Sequence, residues 1–145
     1  PKKSPLGDVV IPNGAVRMEG VSTHYFRVYP AVPDFQVVKA VEQAAQKLEF
    51  PYNVGVTITK HLYTQTTPET KPVGPELVYK WQAYEKGGAT STSMECSVLF
   101  CVGASLGIRT SQRDDQRDKF GEYSNDADDY PSGWEERAIE VGIEA

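Results

Sequence analysis

The sequence has few residues of the kinds that bind metals or form disulfides. Its 145 residues include two cysteines and two histidines. Cys96 and Cys101 lie in one predicted helix, and their spacing puts them on different faces, where a disulfide is geometrically awkward. We therefore expect two reduced, largely buried thiols in an intracellular protein, with the cytoplasm as the expected compartment. His24 and His61 lack a metal-ligand spacing, so we expect no metal site.

Long apolar runs and excess positive charge are also lacking. The longest apolar run covers residues 98–104 and is far too short to span a bilayer. The sequence contains no positively charged segment followed by an apolar one, so no secretory signal is visible. The net charge of −5 argues against a broad basic surface for nucleic acid or for an anionic membrane. With 39% hydrophobic residues, the chain can still bury the core of one domain of ordinary size.

The hydrophobic pattern predicts alternating strands and helices. An extended segment is predicted over residues 7–16, with a turn or bulge at Pro12-Asn13-Gly14, and apolar and polar residues alternate over residues 15–18. A second strand is predicted over residues 53–63. Helices are predicted over residues 35–48, 76–84, 94–106 and 132–145. This order indicates an α/β architecture. Because two or three strands make only a small sheet, we interpret the chain as part of a larger one.

Single residues mark the ends of several predicted helices. Asp34 can cap the N-terminus of the first helix, and Gly107 is a typical terminator for the third. Ser132 and Glu135 have the spacing of a capping box at the start of the last helix.

A charged segment separates the third and fourth predicted helices. Ten of the eighteen residues from 112 to 129 are charged. Such a segment buries little surface, so we predict a charged loop or arm over residues 110–131 and assign Asp114 and Asp115 to it. The predicted organisation is therefore an α/β region over residues 1–109, this arm, and a C-terminal helix over residues 132–145.

Several short motifs follow one another in a recognisable order. They occupy residues 7–10, 15–20, 29–35, 54–57, 81–84, 94–97 and 104–109. Met94-Glu95-Cys96-Ser97 resembles a Met-Glu-Ser-Ala motif, and residues 29–35 resemble a Pro-Ala-Val-x-Asp-Phe stretch. In this succession the chain resembles the C-terminal portion of a nucleoside phosphorylase of the uridine phosphorylase type. The resemblance implies a phosphorylase-like three-layer sandwich, with a mixed sheet flanked by helices, of which this chain is an incomplete part.

The resemblance implies that Met94 and Glu95 bind ribose. In that family the carboxylate accepts hydrogen bonds from sugar hydroxyls, while the methionine packs on the sugar. Phosphorolysis passes through a cationic ribosyl group, so a nearby anion lowers the barrier. A structural alternative stays open, because Thr92-Ser93-Met94-Glu95 also has the pattern of a capping box, in which Glu95 serves only the helix.

The residues that would bind the base match the family less well. Leu62 stands where the family has phenylalanine, while Tyr63 remains available to stack on a base. Gln65 is the candidate for reading the base edge, and no arginine follows at a matching place. His24 lies where the family has a conspicuous histidine or tyrosine, and it is a weaker candidate for ligand contact.

The phosphate-binding loop of the family has no counterpart in these residues. The implied function is reversible phosphorolysis of a nucleoside, with a uridine-like substrate favoured, to free base and ribose 1-phosphate. It would require residues outside this sequence, so no catalytic residue is assigned. Inorganic phosphate would be the co-substrate, and no other cofactor is expected. The expected partners are the nucleoside and either further copies of the chain or a larger complex. The alternatives are a catalytically degenerate structural or interaction subunit, a nucleoside-binding module, and a nucleosidase that uses water.

Overall fold

A mixed four-stranded sheet forms the centre of the fold. The computed structural model describes residues 7–61, 68–115 and 133–145. The strands are β1 (Val9–Met18), β2 (Tyr52–Lys60), β3 (Ala89–Ser93) and β4 (Asp114–Asp115). Their order in the sheet is β3-β2-β1-β4, with β1, β2 and β3 parallel and β4 antiparallel to β1.

Helices connect and cover the strands. They are α1 (Phe35–Lys47), α2 (Gly74–Lys86), α3 (Cys96–Leu106) and α4 (Trp134–Glu144), with short 3₁₀ helices at Val21–His24 and Pro68–Thr70. None of the helices in the described residues has the length and apolar character needed to cross a membrane.

The strand β1 contains the predicted bulge. Its register against β2 shifts between Pro12 and Gly14, which leaves Asn13 as the extra residue. Before the bulge, Val9 and Ile11 pack in the main core. After it, Val16 and Met18 pack around Ile58 and Trp81. Paired residues of neighbouring strands point to the same face, and all four of these side chains pair with alternate residues of β2. The extra residue at the bulge therefore keeps Val16 and Met18 on the same face as Val9 and Ile11.

Helices lie on both faces, as a three-layer sandwich requires. On one face, α1 and α4 cover the start of β1 in a core that includes Val41, Ala45 and Val141. On the other face, α3 packs through Phe100 against a cluster that includes Ala31. The predicted α/β class and mixed sheet are therefore confirmed.

The helix ends agree in part with the sequence-based predictions. The Asp34 carboxylate accepts hydrogen bonds from the backbone N of Gln36 and Val37, at 2.9 and 3.0 Å, which confirms it as the N-cap of α1. Gly107 terminates α3 with a left-handed backbone, φ 67°, as predicted. The N-cap of α4 is Gly133, which has no side chain to form a cap. Ser132 lies outside the described residues, so the capping box that it would form with Glu135 stays a prediction.

The assignment of Asp114 and Asp115 to a charged loop is wrong. Asp115 pairs with Val9 and Asp114 pairs with Val10, so the two aspartates form β4 at the edge of the sheet. Strand pairing joins backbone groups, and an edge position tolerates charged residues, which explains why composition did not indicate a strand. The rest of the predicted arm, residues 116–131, lies outside the described residues.

Candidate functional site

The three parallel strands end at one edge of the sheet, and the candidate residues follow their carboxyl ends. Glu19 follows β1, His61 follows β2, and Met94 with Glu95 follows β3. In open α/β sheets this edge is where ligands bind, because the strand-to-helix turns there leave a crevice. The topology thus brings together segments that are far apart in the sequence.

Met94 and Glu95 lie between β3 and α3 rather than within the helix. The helix begins at Cys96, two residues later than predicted. Both residues are exposed, with 43% of Met94 accessible. The backbone N of Met94 donates to Oε2 of Glu95 at 3.0 Å, which folds the carboxylate back over the turn at the surface.

Hydroxyl groups of the sheet, rather than Glu95, bind the first backbone amides of α3. The backbone N of Cys96 donates to Oγ of Ser93 at 3.3 Å, and that of Ser97 donates to Oγ1 of Thr59 at 2.9 Å. Glu95 occupies the N-cap position but makes no side-chain capping bond. The capping box predicted from Thr92 to Glu95 is therefore wrong, and the Glu95 carboxylate stays available for a ligand.

A buried layer of hydroxyls lies between the sheet and α3. Thr57 pairs with Ser91 and Thr59 pairs with Ser93 across β2 and β3, and all four side chains are buried. Oγ1 of Thr59 and Oγ of Ser93 are 3.2 Å apart. We did not assign these residues a role from sequence, although the alternation of threonine with apolar residues in β2 and the run of Ser and Thr over residues 90–93 in β3 were the available signal.

Glu19 is a buried carboxylate beside this layer. Its oxygens accept hydrogen bonds from the backbone N of Ser22, at 2.9 Å, and from the hydroxyls of Ser22 and Ser97, the latter at 2.7 Å. Nε of Arg17 donates to the Ser22 hydroxyl at 2.8 Å, and the rest of the Arg17 guanidinium donates to the carbonyls of Phe26 and Tyr29.

The hydrogen bonds around Glu19 favour its charged form. Burial is the largest single influence and disfavours the charge, but the donors of Ser22, Ser97 and the Val21 backbone together lower the pKa of Glu19 below its ordinary value of 4.5. Glu19 is therefore ionised at neutral pH. Its role was not predicted from sequence, because only the fold brings Ser97 to it.

The structure describes only some of the remaining candidate residues. His24 is exposed at the end of its 3₁₀ helix. Tyr63 and Gln65 lie outside the described residues, and their contact with a base stays a prediction. His61, which had no predicted role, is exposed at the edge, and a Cβ added at Gly20 would lie 3.7 Å from its Nε2.

The cysteines have the predicted character. Cys96 and Cys101 are both reduced thiols outside any disulfide, and both are fully buried. Burial is the main reason that the pKa of Cys101 is raised above the ordinary value of 9.0. These thiols therefore belong to the core under α3 and not to the exposed edge.

The fold and the edge arrangement define an α/β protein whose candidate residues share the carboxyl edge of its parallel strands. A solved structure of the P. knowlesi homolog of P. falciparum PNP superposes with a TM-score of 0.74 at 25% identity, over 97% of this chain and 53% of that one. A model of the phosphorylase superfamily matches residues 2–111. The chain belongs to this superfamily, which confirms the resemblance found in the sequence.

Several relatives are uridine phosphorylases by name. The chain is 41% identical to the uridine phosphorylase of Treponema pallidum over 106 residues, which are 72% of this chain and 41% of that protein. It is 33% identical to the uridine phosphorylase of Thermococcus kodakarensis over 108 residues, 72% of this chain and 39% of that protein. The chain thus spans about two fifths of the length of these relatives.

Proposed function

We propose that this chain carries the ribose-binding part of a nucleoside phosphorylase. The reaction would be reversible phosphorolysis of a nucleoside to free base and ribose 1-phosphate, with a uridine-like substrate favoured by the names of the relatives. The observation that carries the proposal is the exposed Met94-Glu95 pair at the carboxyl edge of the sheet, with Glu95 making no side-chain capping bond. Residues outside this sequence would supply the phosphate site.

The chemistry of the reaction suits this pair. Cleavage of an N-glycosidic bond develops positive charge on the ribosyl group, and a fixed carboxylate stabilises that charge more than it stabilises the neutral substrate. Hydrogen bonds from ribose hydroxyls to Glu95 would tighten in the same step. Met94 would cover the apolar face of the sugar and exclude water.

Inorganic phosphate is the proposed co-substrate, and we propose no other cofactor. Tyr63 and Gln65 are the proposed contacts to the base, with His24 as a further candidate. We propose that the protein works inside the cell, as a homo-oligomer or as part of a larger complex.

The test is release of free base from uridine or inosine in the presence of phosphate. Replacing Glu95 by alanine is expected to lower kcat/KM by about 100-fold, the usual scale for one group that stabilises charge in the transition state. Glu140→Ala is a matched control, because Glu140 is exposed on α4. Activity that survives Glu95→Ala unchanged would refute the proposed role.

A catalytically degenerate structural or interaction subunit is the second candidate. It would apply if the native polypeptide spans no more of the relatives' length than the two fifths that are matched. The intact mass of the native polypeptide, measured together with the chains that co-purify with it, separates the two. A native chain of about this length, in stoichiometric complex with unrelated proteins and without base release, would support the subunit.

A further inference from the structure

Glu19 is hydrogen-bonded to the start of the helix that follows the proposed ribose pair. It is 7% exposed, and its carboxylate accepts from Ser22 and from Ser97, the second residue of α3. The three hydrogen bonds of Arg17 go instead to the Ser22 hydroxyl and to two backbone carbonyls. Glu19 is thus a buried anion stabilised by hydrogen-bond donors, an arrangement that is costly unless each donor is well placed.

The start of α3 is held by side chains at the ends of three strands at once. Oε1 of Glu19, which follows β1, accepts from the Ser97 hydroxyl at 2.7 Å, while Thr59 of β2 accepts from the Ser97 backbone N at 2.9 Å. Ser93, the last residue of β3, accepts from the Cys96 backbone N. These bonds fix both ends of the turn that contains the ribose pair.

We propose that Glu19 is a positioning residue for ribose binding, which it serves by holding Ser97 and hence the turn that carries Met94 and Glu95. The proposal rests on the proposed function. Met94 and Glu95 are exposed, so they gain little order from packing of their own side chains. The buried, charged contact from Glu19 to Ser97, two residues after Glu95, supplies that order, and small displacements of a binding group cost large factors in affinity.

The first experiment is a double-mutant cycle on uridine binding, measured by calorimetry with the full chain in the absence of phosphate. Ser97→Ala removes the hydroxyl that Glu19 holds. It is expected to weaken uridine binding about tenfold in the unsubstituted background and less than about twofold in the Glu95→Ala background, because coupled residues are not additive. Ser105→Ala is the control, since the Ser105 hydroxyl donates to the Val102 carbonyl of the same helix at 2.8 Å and the residue is exposed.

Purely structural damage would give a different pattern. An equal loss in both backgrounds, or no loss at all, would overturn the proposal. Failure of the unsubstituted chain to bind uridine would count against the proposed function instead, and a second measurement then decides the positioning. The backbone amide resonances of Met94 and Glu95 are expected to shift in Ser97→Ala and not in Ser105→Ala; unchanged resonances would overturn it whatever uridine does.

Discussion

Replacing Glu19 by glutamine tests whether charge, and not only shape, holds the start of α3. The carboxylate accepts from the backbone N of Ser22 and of Val21 and from the hydroxyls of Ser22 and Ser97. A glutamine oxygen can serve only some of these donors, and the NH₂ group of glutamine then faces another. One unpaired buried donor costs about 1–3 kcal/mol, so we expect Glu19→Gln to lower the free energy of unfolding by about 2 kcal/mol at neutral pH.

The loss of unfolding free energy caused by Glu19→Gln should become smaller as the pH falls. Because the folded-state pKa of Glu19 is lowered below 4.5, its stabilising contribution is complete above that value and is lost as the pH falls through the folded-state pKa. Glutamine does not titrate. The difference between the two proteins should therefore be constant from about pH 7 to about pH 5.5 and shrink below about pH 4.5.

Urea unfolding followed by circular dichroism measures this difference. At a typical slope for a small domain, about 2 kcal/mol corresponds to a midpoint lower by about 1 M urea. Glu76→Gln is the control, because Glu76 also has a lowered pKa, from its hydrogen bond to Lys80, but is fully exposed. Its effect should be far smaller and should weaken with salt. A Glu19 difference that is the same at pH 3.5 and pH 7, or that grows on acidification, would refute the reasoning.

Three further predictions concern the core under α3. Phe100 is 1% exposed, so Phe100→Ala should destabilise the fold by about 3–5 kcal/mol in urea unfolding, and a loss below about 1 kcal/mol would contradict this packing. A Cβ added at Gly103 would lie 2.5 Å from Cγ2 of Thr110, so Gly103→Ala should lower the melting temperature, and Thr110→Ser should partly restore it by removing that methyl. Cys96 and Cys101 should react with a thiol reagent only in urea, since both are fully buried; rapid reaction of the folded chain would place them elsewhere.

Much of the fold follows from local patterns that the sequence displays directly. The apolar spacing along α1, with Asp34 in front of it, specifies a helix without tertiary information. The alternation in β2 likewise specifies a strand, and Pro12-Asn13-Gly14 indicates the bulge. By contrast, β4 could not be predicted, because the pairing of Asp114 and Asp115 with β1 uses backbone groups and has no signature in side-chain composition.

The candidate site was predictable only as far as the resemblance reached. Met94 and Glu95 came from the family motif, but local pattern placed them inside a helix and suggested a cap that the structure does not contain. The capping groups are Ser93 and Thr59, and Thr59 lies on another strand. Contacts between residues so distant in sequence, like that from Glu19 to Ser97, depend on how the sheet assembles. The local sequence at either residue therefore has no pattern that predicts the contact.

The bulge in β1 has a consequence for how the strand tolerates changes in length. Asn13 is exposed and has no partner in the β2 register, while Pro12 and Gly14 pair with the consecutive residues Gly55 and Val56. Deleting Asn13 would therefore leave every later side chain on its present face, whereas a deletion at Val16 would shift the residues after it to the opposite face. At Asn13, β1 can therefore lose one residue while Arg17 and Met18, at the end of the strand, keep their present faces of the sheet.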